Sequence, residues 1–194
     1  MPLTQQKDGV DSAGVTGSCG AACAVYILKL LGETSPPTVS QVMAKTSFFS
    51  VMYMLGSSPY NIAKYLTSWC QTQVPAIPVT IYRLDQTGNT DWDKYAGRLW
   101  LHGLESSLTR YNPLPANTAL TDSQAIIRFL SKKGSTEGHF VVETFFTAKS
   151  GTKHNQIMDT WGDIIHTRRN IDDWISDNHN GWHKTGLDLV IQSP

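Results

Sequence analysis

No stretch of the chain is apolar over anything near the roughly 18 to 20 residues that a membrane-spanning helix requires, so a bilayer-crossing protein is not expected. Neither charge is in surplus: 16 basic side chains face 16 acidic ones, and without a one-signed field neither nucleic acid nor an anionic membrane is an expected partner. Between Met1 and Gly17 no basic region precedes an apolar one, so no cleavable secretory signal is read and the protein is expected to be cytoplasmic as synthesised. Cysteine is scarce. The three present, Cys19, Cys23 and Cys70, contain no Cys-x-x-Cys pair, so neither a zinc site nor another cofactor is expected. Cys19 and Cys23 lie one helical turn apart, a spacing at which a disulfide would strain a helix, and all three thiols are read as reduced.

What is present is enough chain, 194 residues, to bury a sizeable core without a metal or disulfide, and a single domain is expected. Residues 1–17, polar and small, read as a flexible lead-in. Cys23, Ile27, Leu30 and Leu31 then recur at helical spacing, and Gly32 is placed to end a central helix with one buried face. Thr38 can cap a second helix through about Lys45. Residues 48–55 are ambiguous, and Ser57-Ser58-Pro59 leads into a third helix with Ile62, Tyr65, Leu66 and Trp69 on one face.

From Pro75 to Leu84 the alternation of Ile77, Val79 and Ile81 predicts a strand, with a turn at 85–89. Residues 91–109 suggest another helix, and Asn112-Pro113-Leu114-Pro115 a break. Thr121-Asp122-Ser123-Gln124 has the look of a helix start before Ile126, Ile127 and Leu130, with Gly134 as the stop. Strands are expected over Gly138–Thr147, Gln156–Trp161 and Leu187–Ile191, a turn over Lys149–Lys153, a short helix over Asp172–Asn178 and a polar loop over Asn178–Gly186. Helices come first and strands last. That order predicts a segregated α+β fold rather than a doubly wound sheet.

Cys19 differs from the other cysteines by position. It follows Gly17-Ser18 at the start of the first helix, where unpaired backbone N–H groups and the positive end of the macrodipole favour a thiolate; beside an imidazole it can ionise near neutral pH. Those same donors can stabilise an oxyanion. Cys23 and Cys70 are assigned to packing. Among six histidines, His139 opens a strongly strand-like segment, which could hold an imidazole rigidly toward a helix terminus; the alternative is a satisfied core histidine. Asp159 lies in the next strand, where a hairpin would set it behind His139 to fix the tautomer, with Asp163 as the other option.

Cys19-Gly20-Ala21-Ala22 with Val25, Ile27, Leu28 and Leu31-Gly32, then His139-Phe140-Val141-Val142, then Asp159-x-Trp161-Gly162, resembles the papain-like cysteine peptidases, in particular their double-glycine (bacteriocin-leader) peptidase branch. The resemblance covers roughly residues 17–32 and 138–163. It implies a papain-like fold with an N-terminal helical lobe packed on a C-terminal antiparallel sheet, Cys19 as nucleophile, His139 as general base and acid, Asp159 as orienter, and a peptide or protein substrate. The glutamine that this family usually carries six residues before the cysteine is here Ala13; Gln6 is a weak stand-in as oxyanion donor, as are Ser18 and backbone amides.

The expected activity is therefore that of a thiol hydrolase, a peptidase or amidase working through a thioester. A deamidase or transglutaminase-like acyl transferase would use the same three residues, and a non-catalytic binding module would keep only the shape. By analogy a leaderless domain of this kind looks like a bacterial effector or toxin, exported without a signal peptide and held in check by a neutralising inhibitor protein.

Overall fold

The structure is a computed structural model that describes residues 17–46, 57, 59–77, 80–84, 121–132, 138–160, 164–168, 170–178 and 181–192. Three helices come first, α1 (Cys19–Leu30), α2 (Val39–Thr46) and α3 (Pro59–Thr72). They are followed by β1 (Thr80–Leu84), β2 (Gln124–Lys132), β3 (Gly138–Thr147), β4 (Lys153–Asp159), β5 (Ile164–Arg168), the short helix α4 (Ile171–Asn178) and β6 (Trp182–Gln192). The strands form one antiparallel sheet in the order β1-β6-β2-β3-β4-β5. The fold is α+β, as the order of periodicities predicts.

Helix α1 is buried more completely than one apolar face requires, for every residue from Gly20 to Leu28 is buried. Ala21, Ala22 and Ala24 are small enough to let α2 and α3 approach from one side while β3 lies against the other. A helix surrounded in this way cannot tilt or slide without opening cavities, which makes its first residue a rigid mount. The helix closes at Gly32 and Glu33, whose amides bond back to the Lys29 and Leu28 carbonyls. Helix α2 starts on a reciprocal cap: the Thr38 amide donates to the Gln41 side chain at 2.9 Å, and the Gln41 amide to Thr38 Oγ1 at 3.2 Å. Helix α3 turns Ile62, Ala63, Leu66 and Cys70 into the core, with Tyr65 and Trp69 partly buried beside them.

The sheet has an apolar layer on each face. Ala125, Ile127, Phe129, Phe140, Val142, Met158, Leu189 and Ile191 face α1 and its companions. On the other face Leu130, Val141 and Ile157 form a smaller core with Ile171, Trp174 and Ile175 of α4, and Trp182 packs on its margin. Helix α4 is capped by Asn170, whose Oδ1 accepts the Asp173 amide at 2.8 Å, and Asp172 in its first turn holds Lys184 of β6 at 2.9 Å.

Several expectations need correction. Gln124–Lys132 is a central strand, not a helix: Thr121 and Gln124 do bond reciprocally, Thr121 N–H to Gln124 Oε1 at 2.6 Å and Gln124 N–H to Thr121 O at 3.0 Å, but they close a turn. Residues 124–130 are all buried, so no alternation marks them as a strand. The polar loop expected over Asn178–Gly186 becomes strand from Trp182 onward, because β6 pairs with the far end of β2 after an irregularity near Arg128. Pro75 to Ile77 are not strand, and β1 begins at Thr80. Strand β4 starts earlier than expected, at Lys153, and β5 was not anticipated. The readings at 48–55, 85–89, 91–109 and 112–115, together with Gln6, Ala13, Trp161, Gly162 and Asp163, lie outside the described residues.

Candidate active site

His139 and Asp159 are brought together by strand register. Val141 pairs with Asp159, so His139, two residues earlier on β3, is the diagonal neighbour of Asp159 on the same face. The ring nitrogen Nε2 donates to Asp159 Oδ1 at 2.9 Å, with the imidazole 1% exposed. A carboxylate that accepts from Nε2 holds the proton there and makes Nδ1 the basic nitrogen of the neutral ring. By alternation both side chains belong to the face that carries Val141, Ile157 and α4.

Cys19 reaches the same end of β3 from the helical side. The backbone amide of Phe140, the residue next to His139, is near enough to favour its thiolate, as are those of Gly20 and Cys19 itself. Asp159 is near enough for its charge to be felt at the thiol. The structure thus brings His139 and Asp159 together on the α4 face at the start of β3, and sets Cys19 beside the same strand on the α1 face, near Phe140. Gly138 permits this start: a Cβ there would lie 2.5 Å from Cζ of the Phe129 ring, which stacks at a tilt on Phe140 with centroids 4.7 Å apart.

The start of α1 is pinned from behind. A Cβ on Gly20 would stand 2.6 Å from Ile62 Cδ1, 2.9 Å from Ser57 Cβ and 3.2 Å from the Phe140 ring. Ile62 is fully buried, and Ser57 is fixed by a 2.8 Å hydrogen bond to Thr46 Oγ1, so neither can retreat freely. Gly20→Ala is therefore expected to lower stability despite the better helix propensity of alanine. Overpacking costs about 1–3 kcal/mol against a propensity gain of at most about 1 kcal/mol. Urea unfolding followed by circular dichroism measures the difference, and an unchanged or raised midpoint would contradict the tight approach.

Burial pushes the Cys19 thiol above its ordinary pKa; the three amides pull it back and the Asp159 charge adds to the rise. This direction runs against a thiol that ionises near neutral pH, because desolvation outweighs the nearby amides. Cys23 is raised further by complete burial, and Cys70 is pushed up to about 11 by the same cause. Among the other histidines, His154 stacks on Phe146 and His166 lies against Trp174, both away from Cys19; His102 and His179 are outside the described residues.

Two neighbours of the site were not anticipated. The Trp182 indole meets the His139 ring edge-on, with centroids 6.1 Å apart. On the same sheet face Arg128 is bound through Nε by Glu143 and through a terminal nitrogen by Asp188 at 2.6 Å, while Asn155 donates to Glu143. All four are buried. A shallow cavity of about 430 Å³ lies at the opposite end of β2, β3 and β4, between Thr121, Phe145, Phe146 and Lys153, remote from the thiol. Among the described residues no three acidic, histidine or cysteine side chains are grouped to hold a metal, and no helix is long and apolar enough to cross a membrane. Comparison of the chain with models of known families and with curated proteins gives no match.

Proposed function

We propose that the protein is a cysteine hydrolase of papain-like architecture, acting on amide bonds through Cys19, His139 and Asp159. One observation carries the reading: an imidazole oriented by a carboxylate at 2.9 Å belongs to the residue next to Phe140, whose amide is felt at the thiol of a helix-terminal cysteine. Cys19 Sγ attacks the carbonyl carbon as Nδ1 of His139 takes the thiol proton. Collapse of the tetrahedral adduct breaks the C–N bond, and the same proton passes to the departing amine. Water, deprotonated by His139, then hydrolyses the thioester and frees the sulfur. Asp159 keeps the ring in one tautomer and steadies the transient imidazolium. The amides around the sulfur are the donors at hand for the oxyanion, consistent with a glutamine-independent site.

Burial favours the neutral form of the thiol, so in this reading the imidazole takes the proton at the moment of attack. Iodoacetamide labelling tests both halves. Cys19 should label at least tenfold faster than Cys23 or Cys70, at a rate that keeps rising as pH increases above 7. His139→Ala should slow Cys19 on the order of 10²-fold. Equal slow labelling of all three cysteines, unaffected by His139→Ala, would overturn the proposal. It would favour instead a binding module that keeps the shape alone, a reading supported by the same desolvation that favours the neutral thiol.

A further inference from the structure

Behind the cysteine the core holds a polar chain that ties α2 to the residues at the start of α3. Thr46, the last residue of α2, is fully buried, and its hydroxyl donates to the Val42 carbonyl one turn back at 3.0 Å. A threonine hydroxyl has one proton, and a carbonyl oxygen can only accept. The 2.8 Å bond between Thr46 Oγ1 and Ser57 Oγ therefore has Ser57 as its donor. The direction of the chain is fixed, from Ser57 to Thr46 to Val42. Asn61, in the first turn of α3, adds a bond from Nδ2 to the Thr46 carbonyl at 3.2 Å. Ser57 is also the residue that stands behind Gly20, where an added Cβ would come within 2.9 Å of the serine Cβ. Gly20 follows Cys19, and its amide is among those felt at the thiol.

We propose that Thr46 and Ser57 are positioning residues for Cys19: their buried hydrogen bond holds Ser57 against Gly20 and so sets where the first turn of α1 presents the thiol. The proposal rests on the hydrolase reading for its catalytic meaning, whereas the tether itself does not. Ile62 and the Phe140 ring limit how closely the first turn can be approached, but apolar contact is non-directional. A hydrogen bond with its donor, its acceptor and the next acceptor all assigned fixes the distance from α2 to Ser57. Cutting it at Thr46 leaves a buried hydroxyl with nothing to bond, a cost that the segment lowers by moving. Any retreat of Ser57 opens space behind Gly20, and relaxation of the first turn into that space changes the distance from the thiol to His139. Displacement of a reacting group by about 1 Å can cost on the order of 10²-fold in rate. Two hydroxyls that never touch substrate can thus govern the reaction through the helix they back.

Amide hydrogen exchange in the ¹⁵N-labelled full chain reads the tether without any need for turnover. The Ala22 amide closes the first turn of α1 on the Ser18 carbonyl at 2.8 Å, and the Leu31 amide closes the last turn on Ile27 at 2.9 Å. In Thr46→Val, which keeps the shape and removes the hydroxyl, Ala22 should exchange roughly tenfold faster or more while Leu31 keeps its rate. Thr46→Ser, which keeps the hydroxyl, should exchange like the wild type. Iodoacetamide labelling of Cys19 should fall roughly tenfold in Thr46→Val and in Ser57→Ala, and the double variant should lose no more than Thr46→Val, since the same bond is cut each time. Circular dichroism controls for folding; if Thr46→Val does not fold, Ser57→Ala, which leaves no orphaned donor, carries the same test. Unchanged Ala22 exchange in a folded variant that lacks the bond, or equal effects of Thr46→Ser and Thr46→Val, would overturn the positioning role. So would Cys19 labelling that keeps its rate in Thr46→Val and Ser57→Ala while His139→Ala slows it. If Ala22 exchange responds as stated and Cys19 labelling changes in none of these variants, His139→Ala included, the tether stands and the hydrolase reading falls.

Discussion

Arg128→Met is expected to lower the free energy of unfolding by about 3–5 kcal/mol, the cost of breaking a buried ion pair by removing one partner. Arg128 bridges Glu143 and Asp188, and both carboxylates are essentially inaccessible to water. Burial opposes its charge, but Asp188 and Glu143 outweigh that, and the guanidinium stays protonated. Without it two acids face each other in a low-dielectric interior. Exchanging the charged side chains together for apolar ones of similar volume should be far milder, neutral or even stabilising, because the desolvation penalty goes with the charges. Comparison of the single and combined variants by urea unfolding separates the worth of the cluster from the cost of orphaning it.

The same cluster sets a pH dependence whose sign can be worked out. Burial raises the Asp188 pKa above its ordinary value; Arg128 works against the rise and Glu143 adds to it. A carboxyl that binds its proton more tightly in the native chain than in the unfolded one favours folding most below the ordinary carboxylate range, near pH 4. That contribution is lost as pH rises through the raised native pKa. Asp188→Asn keeps an oxygen for Arg128 without the charge. It should therefore be tolerated and should flatten this part of the stability profile. Unfolding midpoints of wild type and variant between pH 4 and pH 7 decide the point; parallel curves would mean that Asp188 does not titrate across this window.

The helices and the hairpin could be read from the chain because their signals are local. Thr38 and Gln41 cap each other within one turn, Gly32 stops α1, and His139 to Thr147 carries enough β-branched and aromatic residues to announce a strand. Strand β2 could not be read so easily. Ile126, Ile127 and Leu130 fit helical spacing, and Arg128 among them looks like the polar face of a helix when it is a buried charge. Its partners lie 15 and 60 residues away, a distance over which no periodicity carries information. For the candidate site, the meeting of His139 with Asp159 was legible from the order of the strands, and the place of Cys19 at the start of α1 from the helical spacing. Trp182 was not, since its contact with His139 depends on β6 returning to the centre of the sheet beside β2. The raised thiol pKa was also invisible, because burial of α1 on all sides follows from packing rather than from the sequence around Cys19.

The strongest test of the three residues is how their losses combine. Cys19→Ala and His139→Ala should each reduce turnover of peptide amides by on the order of 10⁴-fold or more, and the double variant should lose little beyond either single one. The reason is chemical: a neutral thiol without a base is a poor nucleophile, and a base without the thiol has no proton to take. Groups that act as a unit fail as a unit. Asp159→Ala should cost less, roughly 10²-fold to 10⁴-fold, because it loosens the ring without removing it. Asp159→Asn should be milder again, since an amide oxygen can still accept from Nε2 at the position where Oδ1 now lies at 2.9 Å. Full activity in Cys19→Ala, or losses from Cys19→Ala and His139→Ala that simply multiply, would show that the thiol and the imidazole do not share one reaction.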